Sequence, residues 1–465
     1  MLVMPHSHQW QPQLRKLWYS SDLSRYYFNL KWQFVPKQLS ESATFPRRRR
    51  RRCQNVCESE ITMMLFRGLR RALSSSTSPS SFISPYFGLS ESAASVYAAA
   101  ETFAAKEIAP HAGAWDERQE FPEAALRKAA EAGYAAMWVT PEYGGLGLSR
   151  SDSVPALEAL AYACPSTAAY LSIHGMVAAM IDANGTAEQK QRYLPSLATM
   201  EKFASYCLTE PGAGSDAASL TTRAVKDASG GGYTLSGQKA FISGGGRSDV
   251  YVVMARTGGP GPSGVSAFLV DGDSPGLSFG ANEKKMGWKC QPTRAVFFDA
   301  VRLPSSALLG GEGGGFKMAM TALDGGRLSI GACSLGAASA CLDLAVRHTS
   351  ERKQFGAPLV ANQALQFMLA DMAAALFSAR LTLRSAAGAY DAAHPDTRAL
   401  CALAKALATE KGLWVVDSAL QLHGGYGYLS STGVEKYLRD CRVHTILEGT
   451  SQVMRILIAR ALGGK

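Results

Sequence analysis

Acidic residues are missing from one whole segment of this 465-residue chain: no Asp or Glu lies between Ile61 and Ser90. Charge is sparse overall, 18% of residues against 47% hydrophobic, which leaves ample material for large cores and excludes a chain disordered throughout. Long apolar runs are lacking as well. The longest uncharged candidate, Ala159 to Ile181, contains Pro165, Ser166, Thr167, Ser172 and His174, too polar for a lipid-facing helix and better suited to a buried helix pair. Among nine cysteines only Cys53 and Cys57 have metal-ligand spacing, so neither a metal site nor a disulfide framework is expected. The remaining thiols are expected to be reduced and buried.

What is abundant is positive charge, but only in one place. The net charge is +10, and residues 1–82 hold 14 of the 48 Lys and Arg but 4 of the 38 Asp and Glu, so residues 83–465 carry 34 of each. A neutral body argues against a basic surface for nucleic acid. Arg47 to Arg52 is an unbroken arginine run, whose functional reading is a nucleic-acid contact or a localisation signal. Behind it, Arg67, Arg70 and Arg71 share one helical face, with Leu65, Phe66, Leu69 and Leu73 available for the other, and a serine-rich stretch follows. An amphipathic, Arg- and Ser-rich, acid-free segment is the pattern of an organellar transit peptide, and the expected compartment is the mitochondrial matrix. Met63 or Met64 is then the expected start, with residues 1–62 an upstream extension; an ordinary disordered tail is the alternative.

Residues 83–202 are rich in alanine and helix formers and read as a helical domain. Between 203 and 309, short β-rich runs such as Val250 to Met254, Val265 to Val270 and Arg294 to Phe298 alternate with Gly/Pro turns, the spacing of a small β domain. From 310 to 465 the pattern is helical again, with 24 residues free of Gly and Pro from Ala364 to Ala387 and a further helix from about Thr397, the makings of a C-terminal bundle. The fold class is therefore α+β multidomain, with an N-terminal helical domain, a middle β domain and a C-terminal four-helix bundle.

Three segments carry more than local structure requires. In Tyr206-Cys207-Leu208-Thr209-Glu210-Pro211-Gly212-Ala213-Gly214-Ser215-Asp216 a strand runs into a Gly-rich turn with hydroxyls and free amides, suited to a ligand with many acceptors or to a plain turn. Arg352-Lys353-Gln354-Phe355-Gly356, with Asn362-Gln363 beyond it, can hold a pyrophosphate, a subunit contact or simply a solvated helix end. In Ile446-Leu447-Glu448-Gly449-Thr450-Ser451-Gln452 the carboxylate follows two apolar residues, so Glu448 is either a desolvated general base or the partner of a nearby arginine.

Together with Pro141 to Gly147, Phe241-Ile242-Ser243 and Gln421-Leu422-His423-Gly424-Gly425, these segments resemble the acyl-CoA dehydrogenases, in order, over about residues 85–465. Thr257 to Pro262, Gln291 to Val296 and Gly325-Gly326-Arg327 resemble the branch acting on isobutyryl-CoA. The resemblance implies FAD, an acyl-CoA substrate, electron-transfer flavoprotein as acceptor, a homotetramer, and conversion of isobutyryl-CoA to methacrylyl-CoA in valine catabolism. It implies that Tyr206 to Ser215 and Phe241 to Ser243 hold the isoalloxazine, with Phe241 where many relatives carry Trp. Arg352, Asn362, Gln363 and Gln421 to Gly425 would contact the ADP half of an FAD held by the neighbouring subunit, and Thr450, Ser451 and Gln452 would complete the pocket. Ser215, Asp324, Gly325, Gly326, Arg327 and Arg460 match substrate or CoA contacts, with Arg327 the partner of a phosphate or carbonyl. Glu448 would be the catalytic base, because isovaleryl-type relatives place theirs about where this chain has Gly325-Gly326. Related readings are a dehydrogenase for 2-methylbutyryl- or butyryl-CoA and an acyl-CoA oxidase; a nucleic-acid-binding flavoprotein using Arg47 to Arg52 is the reading from another class.

Overall fold

Caps set where the helices begin. In the computed structural model, which describes residues 83–228 and 231–464, the Ser90 hydroxyl accepts the Ala93 amide at 3.1 Å and starts α1 (Glu91–Phe103). Everything expected of residues 1–82 lies outside the described residues. Helices α2 (Ala112–Arg118) and α3 (Glu123–Glu131) lead to α4 (Arg150–Ala163) and α5 (Pro165–Asn184), the buried pair expected over Ala159 to Ile181. Thr186 and Gln189 form a reciprocal capping box that opens α6 (Ala187–Ala198).

The sheet contains β1 (Ala204–Cys207), β2 (Arg223–Lys226), β3 (Gly232–Ser243), β4 (Val250–Arg256), β5 (Val265–Asp271), β6 (Leu277–Phe279), β7 (Thr293–Pro304) and β8 (Leu308–Leu309). Its order is β6-β7-β3-β2-β4-β5-β8, and β1 pairs in parallel with β4 from Ala204 opposite Val250 to Cys207 opposite Val253. Strand β4 is buried along nearly its whole length because its two faces serve different cores. Val250, Val252 and Met254 meet Val177, Ile181 and Leu194 of the helices, whereas Tyr251, Val253 and Ala255 join Leu235, Val296 and Phe298 inside the sheet. This sandwiching fixes the C-terminal edge of β1 against α5, which positions the site.

The C-terminal part is built on α7 (Gly315–Glu351), 37 residues and about 55 Å long, with α8 (Gln363–Asp391), α9 (Thr397–His423), α10 (Val434–Arg442) and α11 (Ser451–Ala461). A Cβ at Gly336 would sit 2.3 Å from the Glu158 carbonyl, so glycine allows α7 to press directly onto α4. The cationic segment after α7 contains a short hairpin, β9 (Lys353–Gln354) with β10 (Ala357–Pro358), which residue spacing did not announce. By length and composition α7 and α8 could each cross a membrane, a feature the sequence reading passed over. Most of the apolar part of α7 is buried in the core, and about a third of that of α8. The seven described cysteines are free and buried, and no cluster of three metal-ligating side chains occurs among the described residues.

Candidate active site

Alternation along β1 decides which side chains reach the cleft. Tyr206, Leu208 and Thr209 line it, whereas Cys207 faces the interior of the sheet, fully buried, with its thiol pushed up to about 12 by desolvation. Cys207 therefore stands behind the expected cofactor surface, and its side chain takes no part in the lining. The following turn closes on itself through reciprocal bonds between the Glu210 and Ala213 backbones at 3.1 Å, which leaves Gly212 and Gly214 open to solvent with space around them. Pro211, Ser215 and Asp216 are exposed along the same rim.

Glu210 is placed inward. It accepts from the Thr221 amide at 2.6 Å, the Thr222 amide at 2.9 Å and Lys239 Nζ at 2.8 Å, and these donors hold its carboxyl at about 2 despite burial. Its carboxylate supports the loop and does not line the cleft. On the neighbouring strand the β3–β7 register slips between Lys239 and Ile242, and Phe241 takes φ +59° at that bulge with its ring 68% exposed. A bare aromatic ring at a bulge beside Thr209, Ile242 and Ser243 is a surface that a flat ring system would cover.

Glu448 enters the same cleft from the segment between α10 and α11. The residue keeps some exposure, but its Oε2 is shut off from solvent and has no hydrogen-bond partner. Desolvation raises its pKa to about 7, with Arg327, Lys405 and Arg150 pulling the other way. The carboxylate fits because α7 has no side chain opposite it: a Cβ at Gly326 would lie 2.5 Å from Glu448 Oε2. A Cβ at Gly325 would similarly lie 2.5 Å from Arg150 Nη2. A base at 326 and a base at 448 would claim the same volume. Gly326→Ala is accordingly expected to fold normally yet displace the carboxylate, lowering kcat by about 10²-fold, as ångström-scale misplacement does. Turnover and circular dichroism of the purified variant check this.

Arg327, expected at a substrate phosphate or carbonyl, is buried and turned to the protein. Its Nη1 pairs with Asp324, and its Nε reaches the main-chain carbonyl of Glu448 at 3.4 Å. Asp324 also meets Arg398 at 3.4 Å. Arg460 is exposed on α11 and lines neither cavity described here. Thr450 caps α11 by accepting the Val453 amide at 3.2 Å; Ser451 is buried and Gln452 exposed.

A second cavity, about 510 Å³, brings together Arg352 with Gln421, Leu422, His423, Gly424 and Gly425, as expected, and adds His348, Gln354 and Tyr426. Its volume suits a nucleotide-sized group. The His348 and His423 rings stack at 4.4 Å, and the Arg352 guanidinium lies 5.5 Å from the Tyr426 ring centroid. Asn362 and Gln363 do not line it: Asn362 instead caps α8 by accepting the Ala364 amide at 3.0 Å, and Gln363 is exposed.

Several cleft residues escaped the sequence reading: Ala169, Ser172, Ile173 and Met176 on α5, Leu323 and Ile330 on α7, and Trp288. Trp288 is held at φ +52° by its amide on Asp440 Oδ1 at 2.6 Å and its indole on His444 Nε2 at 3.2 Å. Nothing local marks it, because its partners lie about 150 residues away in the chain.

An exposed aromatic ring at a bulge and a desolvated carboxylate thus line one cleft, in a helical, sheet, helical frame. The chain belongs to the acyl-CoA dehydrogenase family: the models of its N-terminal, middle and C-terminal domains match residues 90–201, 205–301 and 313–463. Mitochondrial isobutyryl-CoA dehydrogenase of Bos taurus is 52% identical over 382 residues, 82% of this chain and 91% of that protein. The butyryl-CoA dehydrogenase structure of Megasphaera elsdenii is 34% identical with a TM-score of 0.78, covering 81% of this chain and 99% of that one. A chain solved in work on the electron transferring flavoprotein of Acidaminococcus fermentans is 39% identical, also with a TM-score of 0.78, over 81% and 99%. The family is FAD-dependent. The residues present fit that group: the buried Tyr206 hydroxyl, which has no hydrogen-bond partner, and the exposed Phe241 ring line the same cleft, and Gly212 and Gly214 leave open space in the turn that follows Thr209.

Proposed function

We propose that this protein dehydrogenates the Cα–Cβ bond of a short branched acyl-CoA, converting isobutyryl-CoA to methacrylyl-CoA in valine catabolism. The observation that carries the chemistry is the Glu448 carboxylate, desolvated and seated in the space left by Gly326. An α-proton next to a thioester is weakly acidic, so the base must be poised near neutral pH and kept dry, and burial does both. Thr209, Phe241, Ile242 and Ser243 would hold the isoalloxazine, and Arg352 with Gln421 to Gly425 the ADP half. When bound, FAD would supply the acceptor for the hydride from Cβ, which carries both electrons of the oxidation.

The 52% identity to the bovine enzyme supports isobutyryl-CoA as substrate and a mitochondrial location, within which the matrix is the proposed compartment. Electron-transfer flavoprotein is the proposed acceptor. The proposed assembly is a homotetramer that does not span a membrane; the exposed Phe355, Phe367 and Tyr428 support its having subunit contacts. The test is anaerobic titration of the purified holoenzyme with isobutyryl-, 2-methylbutyryl-, butyryl- and isovaleryl-CoA, following bleaching of the flavin band. Isobutyryl-CoA is expected to bleach fastest at equal concentration; faster bleaching by any other member would replace it as substrate. Since one methylene is worth only about 1–3 kcal/mol, the margin expected is about 10–200-fold.

A further inference from the structure

Glu448 and Gly449 are two consecutive residues in the left-handed region, at φ +55° and +93°. The first is not glycine, so the surroundings must hold it there. Their two carbonyls are each taken by a buried cation from a different helix: Arg327 on α7 donates to the Glu448 oxygen at 3.4 Å, and Lys405 on α9 donates to the Gly449 oxygen at 2.7 Å. The cations differ in how they are neutralised. Arg327 already pairs with Asp324. Lys405 is fully buried, has three N–H donors, and among the described residues has only the Gly449 carbonyl to accept from it. A buried ammonium with one neutral acceptor calls for an anion nearby.

The groups facing Lys405 are Glu448, Arg327, Glu410 and His444. Glu410 is drawn off by Arg455, at 2.6 and 2.8 Å. His444 is kept neutral by burial and bonds Trp288 and Ser334. Glu448 in turn faces Arg327, Lys405 and Arg150, with the protonated Tyr206 phenol beside it. Arg150 stacks 3.8 Å over the Trp138 ring and reaches Ser329 Oγ at 3.4 Å. Arg150 has no carboxylate partner either, but its guanidinium rests on an aromatic ring; Lys405 is the unpaired cation whose one acceptor belongs to the Glu448–Gly449 turn itself.

We propose that Lys405 is a positioning residue for the base: anchored on the Gly449 carbonyl, its ammonium is the counter-ion of ionised Glu448 and holds the left-handed Glu448–Gly449 turn. This rests on Glu448 being the base. The function assigned to Lys405 is to keep a dry carboxylate ionisable near neutral pH, which burial alone would oppose. An opposite charge close by lowers a carboxylate pKa by about 1–3 units.

The test is an infrared pH titration of the FAD-loaded holoenzyme, following the protonated-carboxyl band that Glu448→Gln removes. Lys405→Met is expected to move its midpoint up from about 7 by roughly one unit. The acidic limb of flavin reduction should move with it, a loss of about fivefold at pH 7, approaching tenfold in acid, that recovers in alkali. Lys405→Arg, which keeps the cation, should leave the midpoint in place, and Lys405→Gln, which keeps a donor without the charge, should shift it as Met does. A midpoint unmoved in Lys405→Met or Lys405→Gln, or one that shifts equally in Lys405→Arg, overturns the proposal, as does a rate loss equal at all pH. Should Lys405→Met fail to fold, the Gln and Arg pair decides. Failure of the base assignment reads out separately, as flavin reduction retained by Glu448→Gln.

Discussion

Replacing Glu448 with Gln is expected to leave the fold and FAD content intact while lowering the rate of flavin reduction by substrate by about 10²–10⁴-fold, the range that a positioned acid or base contributes. The amide has nearly the volume of the carboxylate, so it fits the space left by Gly326 without disturbing α7. It cannot accept the α-proton. Substrate binding should change little, so the loss falls on kcat. In the wild type the rate should rise with pH through about 7, because only ionised Glu448 can act and burial has raised its pKa to that value. The variant should lose this limb.

The same substitution should stabilise the protein in mild alkali. The folded pKa of Glu448 lies above its ordinary value of 4.5, so between those values the folded chain holds more protons than the unfolded one, and stability falls as pH rises from about 4.5 to 7. Glutamine has no such titration. Urea unfolding at pH 8 should therefore place Glu448→Gln above the wild type, and the two should converge near pH 5. Retained turnover in the variant would refute the base.

How much of this could be read beforehand depended on whether the signal was local. Helix and strand runs were legible because periodicity is local, and so were the Gly-rich turn after β1 and the apolar approach to Glu448. Side-chain direction was not. Cys207 and Glu210 belong to the same motif as Thr209, yet strand alternation buries the first and a lysine from β3 draws in the second. Asn362 sits in a cationic, polar segment but serves as a cap. Trp288 and Lys405 bond to partners 156 and 44 residues away, and Lys405 looks in sequence like one more polar position on a helix. Gly325 and Gly326 were legible as absences of a base; that they make room for Arg150 and Glu448 needed the packing of α7.

Lys239→Met is expected to cost about 3–5 kcal/mol of stability and to weaken FAD retention, because it breaks a buried ion pair from one side. Lys239 is 0% exposed and bridges the turn after β1 to β3: its Nζ reaches Glu210 Oε1 at 2.8 Å and the Leu208 carbonyl at 3.0 Å. Methionine matches the stem in length and shape, so little cavity forms, and the cost comes from leaving the carboxylate without its cation. Glu210 keeps its bonds to Thr221 and Thr222, which places the expected value at the lower end of the range. The pH dependence separates this from a packing defect. With its folded pKa near 2 against an ordinary 4.5, Glu210 contributes stability that is complete above about pH 4.5 and drains away as pH falls towards 2. Protonating Glu210 removes the attraction that Lys239 supplies, so the gap between wild type and variant should narrow as unfolding is measured from pH 7 down to about 3. A gap independent of pH would mean that Lys239 acts by filling space. Because Leu208 and Thr209 line the cleft on this same turn, the variant should also release FAD more readily on gel filtration, even at pH values where it remains folded.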